Sequence, residues 1–106
     1  MKIKSLFCTV LSVLTLLPNI LTAADHLVFD GGTGPGEGKH IVFIAGDEEY
    51  RSEEAMPLMA QILNKQGFKC TVLFSIDEKT GFVSPNNQKS LTNPAALDSA
   101  DALVMS

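Results

Sequence analysis

The sequence predicts an α/β protein with a parallel, doubly wound sheet that carries helices on both faces. Three observations predict it: three continuous apolar runs rich in β-branched residues, an amphipathic stretch between the first two, and the order β-α-β-loop-α-β. Three strands and two helices cannot cover both faces of such a sheet. We therefore expect residues 40–106 to be the N-terminal part of an incomplete domain, with only its first three strands present.

The first half of this pattern is a strand followed by a helix. His40–Ala45 is continuously apolar, as in a strand buried on both faces, and a polar turn over 46–51 follows it. Ser52–Gln66 has apolar residues at three- and four-residue spacing, with Ser52 as a plausible N-cap and Gly67 as a stop. Pro57 cannot donate a helical hydrogen bond, so we expect the regular helix to start nearer Met56.

The second half repeats the pattern after a long loop. Lys69–Phe74 is the second predicted strand, and Ser75–Thr92 is polar and rich in turn residues. Asn93 precedes a short predicted helix, Pro94–Ser99, in which proline takes the favoured first position. Ala102–Met105 begins the third buried strand.

Residues 1–24 have the features of an export signal. Met1–Lys4 is basic, Ser5–Leu17 is apolar, and small residues at Ala23 and Ala24 offer a cleavage site. A membrane anchor needs roughly 20 unbroken apolar residues, and Pro18 interrupts this run. We predict an exported protein, periplasmic or secreted, with no stable membrane anchor once the signal is cleaved.

Residues 25–39 form a glycine-rich leader. It begins with the short segment His26–Asp30 and continues as a flexible loop over 31–38. A phosphate loop would need glycine in place of Thr33 and a hydroxyl residue in place of His40. The dinucleotide-binding pattern would need glycine in place of Lys39. We therefore predict no cofactor.

The composition excludes several classes of protein. The 106-residue chain is 45% hydrophobic, unlike a disordered, collagenous or disulfide-framework protein. Its net charge is -4, and without Lys2 and Lys4 of the signal six basic residues remain against twelve acidic ones, a net charge of -6. With no cluster of Lys or Arg for phosphate backbones, we expect no nucleic-acid partner.

The histidine and cysteine residues do not indicate a metal or catalytic centre. His26 and His40 are fourteen positions apart without another His or Cys at ligand spacing, so we predict no metal pair and expect His40 to be partly buried and hydrogen-bonded. Loss of the signal removes Cys8 and leaves Cys70 inside a predicted strand. We interpret Cys70 as a small buried hydrophobe.

The turn after the first strand is the candidate ligand site, because ligands of open α/β sheets bind at the carboxyl edge of the strands. Its residues combine carboxylates with one aromatic and one basic side chain: Asp47, Glu48, Glu49, Tyr50 and Arg51. This set can bind sugar hydroxyls or a hard cation, or hold a carboxyl group for proton transfer. Glu53 and Glu54 follow, and we interpret that pair as stabilising the helix start.

Five stretches within residues 29–106 carry a resemblance to a known family: Gly34–Gly36, Gly38–Ala45, the string from Gly46 to Glu54, Phe68–Asp77 and Pro85–Gln88. They resemble the start of an exported bacterial ThuA-like domain, of the trehalose-utilisation family, and the Gly46–Glu54 string is the most specific of them. The resemblance implies a class I glutamine amidotransferase-like, flavodoxin-like fold and a link to carbohydrate use. It does not imply a particular reaction.

Three functions follow as hypotheses. The first is an exported domain that binds or processes a small-molecule sugar through the turn after the first strand. The second is a hydrolase or amidotransferase relative whose nucleophile lies beyond Ser106. The third is a non-catalytic interaction module that keeps the fold without the chemistry.

The export signal gives the first testable prediction. Intact-mass measurement of the exported protein should find a chain that begins at Ala24 or Asp25. A mass that still includes residues 1–23 would contradict it.

Overall fold

The computed structural model describes residues 25–46, 49–87 and 89–106. The predicted export signal, Asp47, Glu48 and Gln88 lie outside these ranges. Within them, none of the helices combines the length and apolarity that crossing a bilayer requires. The elements, in chain order, are the strands β1 (His26–Phe29) and β2 (His40–Ala45), the helix α1 (Ser52–Asn64), the strand β3 (Lys69–Phe74), a 3-10 helix (Pro94–Ser99) and the strand β4 (Ala102–Met105).

The α/β class is confirmed, but the sheet is mixed and not parallel throughout. The four described strands are arranged in the order β1-β3-β2-β4. β2 pairs in parallel with β3 and with β4, as predicted, whereas β1 runs antiparallel to β3. The expectation of only three strands was therefore wrong for the described chain, because the short segment before the glycines, HLVF, extends the sheet at the outer side of β3.

The core lies between α1 and one face of the sheet. Alternate residues of β2 and β3 point to this face, because side chains on a strand alternate between its two sides. They pack against the buried Met56 and Ala60 of the helix; the strand residues of this cluster are Ile41, Phe43, Ala45, Cys70, Val72 and Phe74. The described residues contain this one α-helix, so the expected α-helices on both faces are not observed: the second predicted helix is a six-residue 3-10 helix.

Helix α1 begins earlier than the proline suggested. It runs from Ser52 through Pro57, so the expected start near Met56 was wrong. The predicted N-cap was also wrong: Arg51 occupies that position in the left-handed conformation, and Ser52 is the first helical residue, 2% exposed. The Arg51 carbonyl accepts hydrogen bonds from the amides of residues 54 and 55, which closes the first turn.

His40 has the structural role expected of it. Its side chain is buried, and its Nε2 lies 2.7 Å from the Thr71 hydroxyl while its Nδ1 lies 3.0 Å from the Ser99 hydroxyl. Its backbone N–H donates to the Asp101 carboxylate at 2.8 Å. These bonds connect β2 to β3 and to the segment that leads into β4.

The glycine-rich segment 31–38 is docked against the turn that joins α1 to β3. The Gly32 N–H donates to the Gly67 carbonyl at 3.0 Å, and the Gly36 N–H donates to the Gln66 carbonyl at 2.9 Å. The expected loop is present, and its glycines allow two backbones to lie in contact. Gly67 itself has a φ of 96°, a conformation that favours glycine.

A pair of glycine substitutions tests this contact. A Cβ on Gly36 would lie 2.3 Å from the Phe68 ring, whereas a Cβ on Gly32 would have no neighbour within 4 Å. Gly36→Ala should lower the free energy of unfolding by about 1–3 kcal/mol, as overpacking does. Gly32→Ala should be neutral or stabilise by up to about 1 kcal/mol, because it restricts the unfolded chain. Urea denaturation of both variants measures the difference, and equal values would contradict the contact.

Candidate functional site

The carboxyl ends of the parallel strands meet at one edge of the sheet, and the candidate turn leaves from there. β2 ends at Ala45, and the Gly46 N–H donates to the Ser106 carbonyl just beyond the end of β4 at 3.0 Å. The turn then connects directly to α1. The start of β1 lies at the same edge, because His26 is paired with Leu73 near the end of β3.

Three of the five predicted site residues are described, and they lie on the surface of this turn. Tyr50 is 73% exposed, and Glu49 and Arg51 are also exposed. Arg51 has φ 52° and ψ 44°, an uncommon conformation for a residue with a side chain. Asp47 and Glu48 lie outside the described residues, so their place in the site stays a prediction.

The two glutamates at the start of α1, Glu53 and Glu54, have different surroundings. Arg51 forms an ion pair with Glu54, one turn along, and both side chains are mostly exposed. Such exposed pairs contribute only about 0–1 kcal/mol to stability. Glu53 differs, since its Oε2 is buried and has no hydrogen-bond partner among the described residues. The Arg51 guanidinium and the Tyr50 ring are therefore both accessible to solvent.

A concavity of about 270 Å³ lies at the same edge, where β2, β3 and β4 end. It is lined by Ile44, Ala45, Ser75, Asn87, Ser90, Leu91 and Met105, and by none of the predicted residues. Its polar groups bond to their own loop: the Ser75 hydroxyl donates to the Asn87 carbonyl, and the Ser90 hydroxyl donates to the Ile76 carbonyl at 2.8 Å. The Asn87 amide also donates to Ile76, at 2.6 Å. These residues hold the loop in place.

A group of polar side chains at the start of β1 was not predicted as a site. His26 Nδ1 lies 2.7 Å from Asp25 Oδ1, and His26 Nε2 lies 3.3 Å from the Asn93 side-chain nitrogen. The His26 side chain is 28% exposed and that of Asp25 is 51% exposed. Adjacency in the sequence suggests the first contact, but Asn93 is 67 residues away and only the fold brings it close.

A second concavity, of about 520 Å³, lies at the opposite edge of the sheet. It is lined by the glycine-rich segment together with Lys39, His40 and Lys69. α1 begins at the other end of β2, so its N-terminus cannot meet an anion here.

Comparison with known proteins adds no assignment. No family model, curated protein or solved structure matches this chain significantly. Among the described residues, no group of three or more His, Cys, Asp or Glu side chains is placed to hold a metal ion. The chemistry of the site therefore has to be argued from its own side chains.

Cys70 lies in the core and away from this edge. Its side chain is 0% exposed in the middle of the sheet, and burial raises the pKa of its thiol. The thiolate is the nucleophilic form, so these surroundings make Cys70 unreactive. The interpretation of Cys70 as a buried hydrophobe agrees with this position.

This burial gives a prediction about labelling. In the exported chain, Cys70 should react with iodoacetamide far more slowly in the native state than in urea. A Val28→Cys variant is the matched control, because that position on β1 is 48% exposed and its new thiol should react rapidly in the native protein. Mass spectrometry of the labelled protein measures both rates. Equal native rates at the two positions would contradict the assignment of Cys70 to the core.

Proposed function

We propose that this protein is an exported sugar-binding or sugar-processing domain whose ligand lies on the turn after β2. The observation that carries the proposal is an exposed tyrosine ring beside an exposed arginine at the carboxyl edge of the sheet. Sugars bind to such pairs because the ring packs against their C–H faces while charged groups hydrogen-bond their hydroxyls. Export would deliver the domain to a compartment outside the cytoplasm.

The position of the turn supports this choice of site. Ligands of open α/β sheets bind outside the carboxyl ends of the strands, and both the turn and the concavity lie there. Arg51, in the left-handed conformation, directly precedes α1. Its side chain thus stays on the surface near Glu54, where a hydroxyl could displace part of the ion pair at little cost in stability.

The finer fold and family assignments belong to the same proposal. We place the domain in the ThuA-like family with a flavodoxin-like, class I glutamine amidotransferase-like fold. The support is the Gly46–Glu54 string and the parallel β2–α1–β3 unit. The antiparallel β1 is an addition at the edge of that unit, as many α/β folds carry.

Cys70 does not support the alternative of an amidotransferase-like enzyme. The thiol is buried near the start of β3, whereas a cysteine nucleophile needs an accessible, thiolate-stabilising position. An interaction module without chemistry would use the same exposed turn. Our proposal predicts that the turn binds a small sugar, whereas the amidotransferase-like enzyme and the interaction module do not require it.

The test is a set of substitutions on the turn, with saturation-transfer NMR of the exported protein in trehalose and in maltose. Tyr50→Ala should weaken sugar binding about 2- to 10-fold, since an aromatic contact is worth about 0.5–1.5 kcal/mol. Arg51→Ala and Glu48→Gln should also weaken binding. All three should change the free energy of unfolding by less than about 1 kcal/mol.

Ile62→Ala is the control, because Ile62 is 64% exposed but lies near the other end of α1, and it should bind sugar as wild type does. If the turn variants unfold earlier yet bind as wild type, the turn only stabilises the helix start. If wild type binds neither sugar, the proposed ligand class is wrong.

A further inference from the structure

We propose that removal of the export signal creates a binding site for Cu(II) at the new N-terminus, formed by Asp25 and His26. The inference rests on the export step of the proposed function and is independent of sugar binding at the turn after β2. Its ligands would be the free α-amine of Asp25, the Asp25 carboxylate, the amide nitrogen of His26 and His26 Nδ1. Nitrogen and oxygen donors in a square-planar arrangement are typical of Cu(II) and Ni(II).

The first observation is the spacing of two of these donors. His26 Nδ1 and Asp25 Oδ1 are 2.7 Å apart. Two ligands at neighbouring corners of a square, each about 2.0 Å from a metal, are about 2.8 Å apart. In the metal-free chain this is the distance of a hydrogen bond between the imidazole and the carboxylate, and a metal ion that replaced the shared proton could bind both atoms with little movement of either side chain.

The second observation is the order of the residues at the predicted cut. Cleavage after Ala24 leaves an amine on Asp25, one peptide unit before His26. The amine, the amide nitrogen and Nδ1 then form two fused chelate rings, and the carboxylate takes the fourth corner.

Charge and proton balance favour a divalent ion that can displace an amide proton. Binding releases one proton from the α-ammonium group and one from the His26 amide, and both enter the solvent. For the cut after Ala24, the carboxylate and the deprotonated amide cancel the two charges of Cu(II). Zn(II) prefers a tetrahedral set and Ca(II) prefers oxygen ligands, so neither fits these donors as well.

The fold holds the histidine where a metal can reach it. His26 is the first residue of β1, and its pairing with β3 fixes its backbone at the edge of the sheet. The ring is partly exposed, and Nε2 lies 3.3 Å from the Asn93 carboxamide. A carboxamide can turn its oxygen toward an N–H, so Asn93 is placed to support the ring when Nδ1 binds a metal.

The experiment is a titration of the exported, mass-verified protein with CuCl₂, followed by calorimetry and electron paramagnetic resonance. Wild type should bind one Cu(II) with a nitrogen-rich spectrum. His26→Ala should weaken binding by more than about 100-fold, which exceeds the 10–100-fold loss typical of an outer-shell partner. Asn93→Ala should cause a smaller loss.

The decisive control keeps every side chain from Asp25 onward. Insertion of Gly-Ser between Ala24 and Asp25 moves the amine two residues away, and it should abolish the wild-type spectrum while the protein unfolds as before. The proposal is overturned if the inserted variant binds as tightly as wild type, if wild type does not bind Cu(II), or if the exported chain starts elsewhere than Asp25. None of these outcomes depends on whether the turn after β2 binds a sugar.

Discussion

The described fold depends on the close approach of two backbone segments, the glycine-rich segment 31–38 and the turn 66–68. A Cβ on Gly34 would lie 2.5 Å from the Gln66 carbonyl oxygen, so a side chain there would push the segments apart. Their contact brings the chain back beside the start of β3, which allows β1 to pair with β3 in the antiparallel direction. Asn64 reinforces the junction, because its amide donates to the carbonyls of Asp30 and Phe68.

The sequence predicted the elements whose signal is local and periodic. The bounds of β2 and β3 agree with the predicted strands, since continuous apolar runs are typical of strands buried on both faces. β1 was missed because four residues are too short to show a period, and its pairing depends on a partner more than forty residues away. The start of α1 was misjudged because tertiary packing of Ser52 and Met56 outweighs the loss of one hydrogen bond at Pro57.

The sequence predicted the location of the candidate site at the carboxyl edge of the sheet, but not the backbone conformation or the side-chain surroundings there. The carboxyl edge follows from the β-α-β order alone, and the described residues of the turn do lie there. The left-handed Arg51, however, is not encoded by its residue type, because arginine has no preference for that conformation. The sequence also did not predict the different surroundings of Glu53 and Glu54, because the helical register decides which carboxylate faces the protein. His26 and Asn93 come together only through the fold.

The antiparallel direction of β1 has a consequence for how the two proposed sites are related. A strand that runs against its neighbours begins where they end, so His26 lies at the same edge of the sheet as the turn after β2. Only β3 separates β1 from β2, which places the strand axes about 10 Å apart. A metal ion bound at His26, as proposed, would thus lie at the same edge of the sheet as the turn that carries Arg51.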